Sequence, residues 1–181
     1  MNFRDIPTYT SWGNYGCDVG LKEVPQTIDF YSRDYGLDMD PDFQRGHVWT
    51  NEQRSRFIEH LLKGGQTGRE ILFNCPNWMS GSGDEGQMVL VDGKQRLTAV
   101  LMYLRDEITA FGKHFSEMEG RTLVHLRFHV NSLSTREEIL QWYLDLNSGG
   151  VVHTPEEIEK VRRLLEKERA HDGEADSPAP R

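Results

Sequence analysis

The feature that most constrains the fold is a short apolar run at residues 88–91, which stops abruptly at Asp92 and Gly93. A continuous apolar run of this length is typical of a buried strand, because a strand with one solvated face would alternate. Beyond the glycine, apolar side chains recur at helical spacing at Leu97, Val100, Leu101 and Leu104. The sequence therefore predicts a central unit made of a strand, a tight polar turn and an amphipathic helix.

Two elements are predicted before this central unit. Thr50 and Gln53 show the pattern of a capping box, in which each side chain satisfies a free amide at the start of a helix. Apolar residues then recur at helical spacing through residues 57–62, so we expect a helix there. Residues 70–74 are a short apolar run followed by a proline, which predicts a strand.

Three elements are predicted after the central unit. Residues 123–130 alternate between apolar and polar side chains, as in a strand with one buried face. Thr135 and Glu138 repeat the capping-box pattern before a helix, and Pro155 opens a last helix. We therefore expect an α+β (mixed α/β) fold, a single domain with a small sheet flanked by helices and an extra helical C-terminal part.

The length of 181 residues favours one domain with extensions. Residues 1–26 mix glycines with aromatic side chains and predict an irregular N-terminal arm. Residues 27–169 carry the predicted elements and are expected to form the domain. Residues 170–181 are rich in Asp, Ser, Pro and Ala and predict a disordered acidic tail.

Charge and composition limit the classes of protein to consider. The net charge of -8 argues against a dedicated non-specific DNA binder, which usually presents a basic face, but it leaves room for a local basic pocket. No apolar run approaches the roughly 20 residues of a membrane helix, and the N-terminus lacks a secretory pattern. We expect a cytosolic protein with Cys17 and Cys75 as reduced thiols.

The turn between the central strand and helix carries chemistry suited to an anion. A helix N-terminus offers free N–H groups, and Gly93 lets the backbone approach a ligand closely. Arg96 adds a planar donor fork for phosphate, Lys94 adds a point charge, and Asp92 suits a metal or a positioned water. The structural alternative is an ordinary turn in which Asp92 caps the helix and Arg96 pairs on the surface, and the five residues alone do not decide between the two.

Two further segments can each be interpreted either as part of a ligand site or as ordinary structure. In residues 42–49, Arg45 is placed to reach a phosphate or the Asp92 carboxylate, but Phe43 and Trp49 also suit core anchors. In residues 147–150, Asn147 and Gly149 suit a loop that closes over a ligand, but they equally suit a plain helix C-cap. Taken singly, each segment favours the structural explanation.

Taken in order, the three segments resemble the marks of the ParB-like family that forms the N-terminal half of GmrSD-type modification-dependent restriction enzymes. Those marks are Gln-Arg followed by an apolar residue and Trp, then Asp-Gly-Gln-Gln-Arg-Leu-Thr, then Asn-x-Gly-Gly before an acidic helix. They stand here at residues 44–49, 92–98 and 147–150, and the resemblance covers roughly residues 38–162. It implies a ParB/sulfiredoxin-like fold.

The resemblance also implies a function. Members of such a family bind or cleave nucleoside triphosphates, with relatives coupling this to DNA recognition or cutting. We therefore expect a nucleotide-phosphate-binding domain with NTP hydrolysis, of unknown base preference, linked to DNA restriction or phage defence. The expected cofactor beside the nucleotide is Mg²⁺, since one carboxylate with substrate phosphates is its usual arrangement. DNA or a restriction or defence protein is the expected partner, in a bacterial cell or a phage-infected host.

The site residues follow from the same resemblance. Asp92 is expected to hold the metal or position water, with Gln95 and Arg96 completing the catalytic group. Arg45 is expected as a second phosphate clamp. The remaining nucleotide-binding residues are expected to be Gly93, Lys94, Arg96, Thr98, Asn147 and Gly149.

One departure keeps a second class of function open. Lys94 replaces the usual first glutamine of the family motif, which preserves polarity and adds charge but puts catalysis in doubt. The alternative is a non-catalytic nucleotide-sensing or protein-binding module, such as a regulator, a restriction subunit or a phage anti-defence factor. A nuclease acting alone is a weaker interpretation, because only one firm metal-binding carboxylate is visible. The sequence leaves the oligomeric state open, a homo-oligomer included.

Overall fold

The structure is a computed structural model that describes residues 2, 15–44, 46, 49–76, 78, 87–148 and 155–175. The chain divides into two compact units. The larger unit is Trp12–Ser132, and the smaller combines Met1–Ser11 with Leu133–Arg181.

The larger unit is built on a mixed sheet. Among the described residues the sheet has four strands in the order β1-β4-β2-β3, where β1 is Tyr15–Gly20, β2 is Glu70–Asn74, β3 is Val89–Asp92 and β4 is His125–Asn131. β1 pairs with β4 and β2 pairs with β3 antiparallel, while β2 and β4 run parallel. The end of β1, the starts of β4 and β2, and the end of β3 therefore meet at one end of the sheet.

Helices of the larger unit pack on this sheet. They are α1 (Val24–Tyr35), α2 (Asn51–Leu62) and α3 (Lys94–Leu104), with short 3₁₀ turns at Leu21–Glu23 and Phe115–Glu117. A single core joins the buried side chains of the helices to those of the sheet, and its most enclosed members include Ile58, Ile71, Phe73, Leu97, Leu126 and Phe128. α3 is therefore held by its whole apolar stripe, which fixes the position of its first turn.

The smaller unit contains two helices among its described residues, α4 (Arg136–Ser148) and α5 (Pro155–Ala175). Arg169 donates to Glu137 at 2.7 Å and Arg136 donates to Glu168 at 3.1 Å, so two ion pairs link the helices. The helices also bury apolar side chains, among them Leu140, Val161 and Leu165.

The mixed α/β fold predicted from the sequence is confirmed. The capping box at Thr50 and Gln53 opens α2, and Thr135 and Glu138 exchange the same pair of hydrogen bonds before α4. β2 begins and ends where the sequence placed it. In β4 the apolar residues are buried while the alternate ones are less enclosed, as their pattern predicted.

Two local expectations need correction. The described part of the predicted irregular arm contains strand β1 and the start of α1, so residues 15–26 are ordered elements of the sheet unit. The signal for α1 was present but unused: Val24, Ile28 and Tyr31 recur at helical spacing around Pro25. α5 continues to Ala175, beyond the predicted start of the tail at residue 170. The domain boundaries themselves stay predictions.

The burial pattern of α5 predicts which part of the C-terminus stabilises the chain. Val161, Leu165 and the Glu168 and Arg169 ion pairs all precede residue 171. Deleting residues 171–181 should therefore leave the melting temperature almost unchanged, whereas Leu165→Ala should cost about 2–5 kcal/mol, the usual range for a truncated core leucine. Thermal and urea denaturation measure both. Leu164→Ala, at a half-buried neighbour, is the matched control and should cost less.

Candidate functional site

The turn between β3 and α3 is built around a glycine that no other residue can replace without strain. Gly93 has φ 99° and ψ 9°, in the left-handed region. A Cβ at this position would lie 2.6 Å from Ile71 Cδ1 and 3.3 Å from the backbone oxygen of Glu70. Gly93 is also the N-cap of α3 and, having no side chain, makes no side-chain capping hydrogen bond.

Each of the two cations in the first turn of α3 has a carboxylate partner. Arg96 Nη2 lies 2.5 Å from Asp92 Oδ2, and Lys94 Nζ donates to Asp40 Oδ1. The Lys94 side chain is only 6% exposed, but Asp92 is 46% exposed and Arg96 21%. The four charges cancel, and the Asp92–Arg96 pair is the one in which both side chains reach solvent.

Asp40 reaches Lys94 because residues 38–40 run beside the edge of β3. The Asp38 amide donates to the Met88 carbonyl oxygen at 2.8 Å, and the Leu90 amide donates to the Asp38 carbonyl oxygen at 2.9 Å. The Asp40 amide then donates to the Asp38 side chain at 2.8 Å. This short bridge extends the sheet edge and sets a carboxylate over the helix end.

Two glutamines attach the segment before α2 to the same helix end. Gln95 Nε2 donates to the Gly46 carbonyl oxygen at 3.0 Å, and Gln95 Oε1 accepts from the Trp49 amide at 3.3 Å. Gln44 Nε2 donates to the carbonyl oxygen of Leu90 in β3. We call these contacts the glutamine clamp. The clamp brings the first and second sequence motifs together although they lie more than 40 residues apart.

Aromatic side chains of the same segment pack next to the glutamine clamp. Phe43 is buried, and the Trp49 ring packs edge-on against Phe57 of α2 with centroids 5.5 Å apart. The suggestion that Phe43 and Trp49 anchor this segment in the core is confirmed. The anchoring role and a binding role for the segment do not exclude each other, because different residues perform them.

The structure brings some of the predicted site residues together and leaves others apart. Asp92, Gly93, Lys94, Gln95 and Arg96 all lie at the junction of β3 and α3. Thr98 is half-buried one turn further along the helix.

Three predicted residues are not joined to this junction by the structure. Arg45 and Gly149 lie outside the described residues. Asn147 belongs to the smaller unit, where its Nδ2 donates to the Tyr143 carbonyl oxygen at 2.7 Å.

Sequence reasoning missed two residues of the site. Asp40 stood within an acidic run that predicted only a loop, and nothing in the pattern marked it as the partner of Lys94. Gln44 stood out as polar, but its hydrogen bond to β3 was not foreseen. The only signal for either was a polar side chain flanked by apolar anchors.

The polar face of β4 is only partly solvated, because Arg127 is exposed whereas the Nε2 atom of His129 is buried without a hydrogen-bond partner among the described residues. Arg127 donates to Asp18 at 3.1 Å, and His129 Nε2 lies 3.8 Å from Glu70 Oε1. Within the described parts of the chain there is no group of three or more His, Cys, Asp or Glu side chains that could hold a metal ion. Cys17 and Cys75, both within the described residues, form no disulfide bond.

Comparison with known proteins identifies the family. The model of the GmrSD restriction endonuclease N-terminal domain matches residues 27–123, more than half of the chain. No curated protein and no solved structure matches the chain. The chain therefore belongs to the GmrSD N-terminal domain family, which indicates a restriction-related context. Among the described helices, none is long and apolar enough to cross a membrane.

The crowding at Gly93 predicts a measurable difference between two glycines. Gly93→Ala must adopt a left-handed backbone and also place a methyl group against Ile71. Gly36→Ala is the matched control, because Gly36 has φ 58° and no atom within 4 Å of the position that a Cβ would take. The control should lose about 1–2 kcal/mol, the usual cost of a left-handed non-glycine residue, and Gly93→Ala should lose more. Equal losses in urea denaturation would show that the contact with β2 is unimportant.

The glutamine clamp predicts a local opening in Gln95 variants. Gln95→Ala removes the acceptor of the Trp49 amide and the donor to Gly46, so the Trp49 amide should exchange with solvent faster. Gln95→Glu keeps an acceptor for Trp49 and should show a smaller increase. Hydrogen exchange followed by mass spectrometry measures both, and unchanged protection in Gln95→Ala would contradict the clamp.

Proposed function

We propose that this chain is a nucleotide-binding domain of a restriction or defence system, which binds and hydrolyses nucleoside triphosphates at the first turn of α3. The observation that carries the proposal is the helix end itself. Its N-cap is a glycine that makes no side-chain capping hydrogen bond, and an arginine with solvent access stands beside it. These are the elements by which helix N-termini take phosphate groups.

The Asp92–Arg96 pair gives the proposed site a way to respond to its ligand. Arg96 donates to Asp92 at 2.5 Å, so a phosphate that recruits Arg96 must compete with this carboxylate. Mg²⁺, which carries phosphates into such sites and polarises them, favours carboxylate oxygen ligands, and the half-exposed Asp92 fits one such ligand position. In this proposal Asp92 would hold the metal and Arg96 would bind the phosphate, so the ion pair between them would open when the ligand is bound.

Lys94 and Gln95 have different roles in this proposal. The Lys94 ammonium is buried against Asp40, so it contributes positive charge from a fixed place. Both polar atoms of the Gln95 side chain are used by the glutamine clamp, so Gln95 acts as a positioning residue for the segment before α2. We propose Arg45, within that segment, as the second phosphate clamp. Thr98, Asn147 and Gly149 keep their proposed nucleotide contacts.

A second candidate function is binding of nucleotide without turnover, as a sensor or as a protein-binding module. The charge balance at the site favours it, because Lys94 and Arg96 are each neutralised by a carboxylate. Lys94 also departs from the family motif, which has glutamine there. In this candidate the opening of the Asp92–Arg96 pair reports the bound nucleotide to a partner and no bond is broken.

Asp92 and Arg96 variants test the proposal and separate the two candidates. Arg96→Ala should weaken nucleotide binding by about 10- to 150-fold, the equivalent of losing one charged hydrogen bond. Asp92→Asn should abolish Mg²⁺-dependent hydrolysis while keeping or increasing affinity for nucleotide without Mg²⁺, because Arg96 loses its competing carboxylate. Calorimetry and phosphate release over the four NTPs, with and without DNA, measure these effects.

Arg33→Ala is the control, because Arg33 also pairs with an aspartate, Asp34, at 2.7 Å on the exposed side of α1. It should leave binding and hydrolysis unchanged. Binding without any phosphate release in the wild-type protein would select the sensor candidate. Failure of all four NTPs to bind the wild-type protein would reject both.

A further inference from the structure

The larger unit contains a cleft of about 650 Å³ that the proposed nucleotide site does not use. It opens at the end of the sheet where β1 ends and β4 begins, and its wall reaches Tyr103, near the end of α3. Tyr103 is ten residues beyond Gly93, about 15 Å at the rise of an α-helix. The volume falls within the range of roughly 300–1,000 Å³ typical of small-molecule sites.

Arg69 is the first reason to regard the cleft as a binding site. It is only 7% exposed, and arginine is rarely this enclosed unless it is paired. Its Nε donates to the Gly65 carbonyl oxygen at 2.6 Å, at the rim of the cleft. Across the described residues, no carboxylate pairs with Arg69 and nothing accepts from its terminal Nη groups. A guanidinium enclosed in this way is prepared for an anion.

Tyr103 supplies a second and independent reason. Its side chain is fully buried, and its hydroxyl has no hydrogen-bond partner within the part of the chain that the structure describes. Buried tyrosine hydroxyls usually have a partner, because an unsatisfied polar group in the interior is costly. Burial and the nearby charge of Asp106 raise the pKa of Tyr103, so the hydroxyl stays protonated and able to donate.

The remaining walls define the chemistry that the cleft selects. Lys22 and Arg121 line it beside Arg69, and Glu119 is the acidic residue among its lining, in a chain whose net charge is -8. Phe115 packs edge-on against Tyr103 with centroids 5.6 Å apart and carries the Lys22 ammonium 5.5 Å from its ring centre. The cleft therefore combines local positive charge with aromatic surface.

We propose that this cleft is a second ligand site, which binds an organic anion of about mononucleotide size. Arg69 takes the oxyanion, a phosphate or a carboxylate, since its planar fork matches both. The ligand body packs against Phe115, and a small shift of the cleft wall lets the buried Tyr103 hydroxyl donate to a polar atom of the ligand. The site does not depend on the proposed triphosphate site, although Arg69 directly precedes Glu70, whose carbonyl oxygen faces Gly93.

The experiment uses nucleoside 5′-monophosphates, phenyl phosphate and benzoate as probes with the full chain, followed by calorimetry and by NMR. Phosphates and carboxylates are both included so that the preferred oxyanion is identified. Arg69→Gln should weaken binding of the best probe by about 10- to 150-fold, and Tyr103→Phe by about 2- to 13-fold. Tyr103→Phe removes an unpartnered hydroxyl, so its melting temperature without ligand should not fall.

Two controls make the result decisive. Arg33→Gln, at an exposed arginine outside the cleft, should bind as the wild type does. Arg96→Ala should also retain probe binding, since Arg96 is not in the cleft lining. Binding that Arg96→Ala removes would overturn the second site and assign the probe to the first turn of α3.

Two other outcomes would also overturn the proposal. One is that no probe binds the wild-type chain at millimolar concentration. The other is that Tyr103→Phe leaves the affinity of every probe unchanged.

Discussion

The close approach of Gly93 to β2 is the constraint on which the rest of this structure depends. With no Cβ, Gly93 lets α3 begin directly against Ile71 and the Glu70 backbone. The apolar stripe of α3 then enters the common core, so the helix can neither rotate nor slide. Its first turn is therefore presented at the sheet end with fixed orientation, and the side chains of Lys94, Gln95 and Arg96 point to three different partners.

Those three partners explain how one helix turn organises a site. The buried Lys94 side chain pairs with Asp40, Gln95 hydrogen-bonds to the segment before α2, and Arg96 forms an ion pair with Asp92 that is accessible to solvent. Two unpaired cationic side chains in one helix turn would repel each other when no phosphate is bound, and the carboxylate partners remove that repulsion. In the proposed function the same partners would make binding conditional, because a phosphate that recruits Arg96 would have to displace Asp92. Membership of the GmrSD N-terminal family agrees with a site of this kind serving restriction.

The two candidate sites differ in how they are prepared for a ligand. At the start of α3 the charges are already satisfied, so binding exchanges one partner for another. In the cleft, the Tyr103 hydroxyl is buried without a hydrogen-bond partner in the described chain and the Arg69 guanidinium is bonded through its Nε, so a ligand would supply hydrogen bonds that the fold lacks. Both sites lie on the larger unit, and both include residues of α3. The first site uses the start of this helix and the second uses its end.

The sequence by itself determined the local elements. The apolar run before Asp92-Gly93, the capping boxes at Thr50 and Thr135 and the alternation in β4 all depend on neighbours within one turn or one strand, and they were predicted correctly. β1 was missed because its glycines and polar residues give only a weak strand pattern, whereas the helical spacing of Val24, Ile28 and Tyr31 in α1 was present but unused. Asp40 as the partner of Lys94, Gln95 as a clamp and the enclosure of Arg69 were decided by the tertiary structure alone. The first two contacts join residues 46 to 54 positions apart, and only packing of the whole sheet unit brings such residues within hydrogen-bond distance.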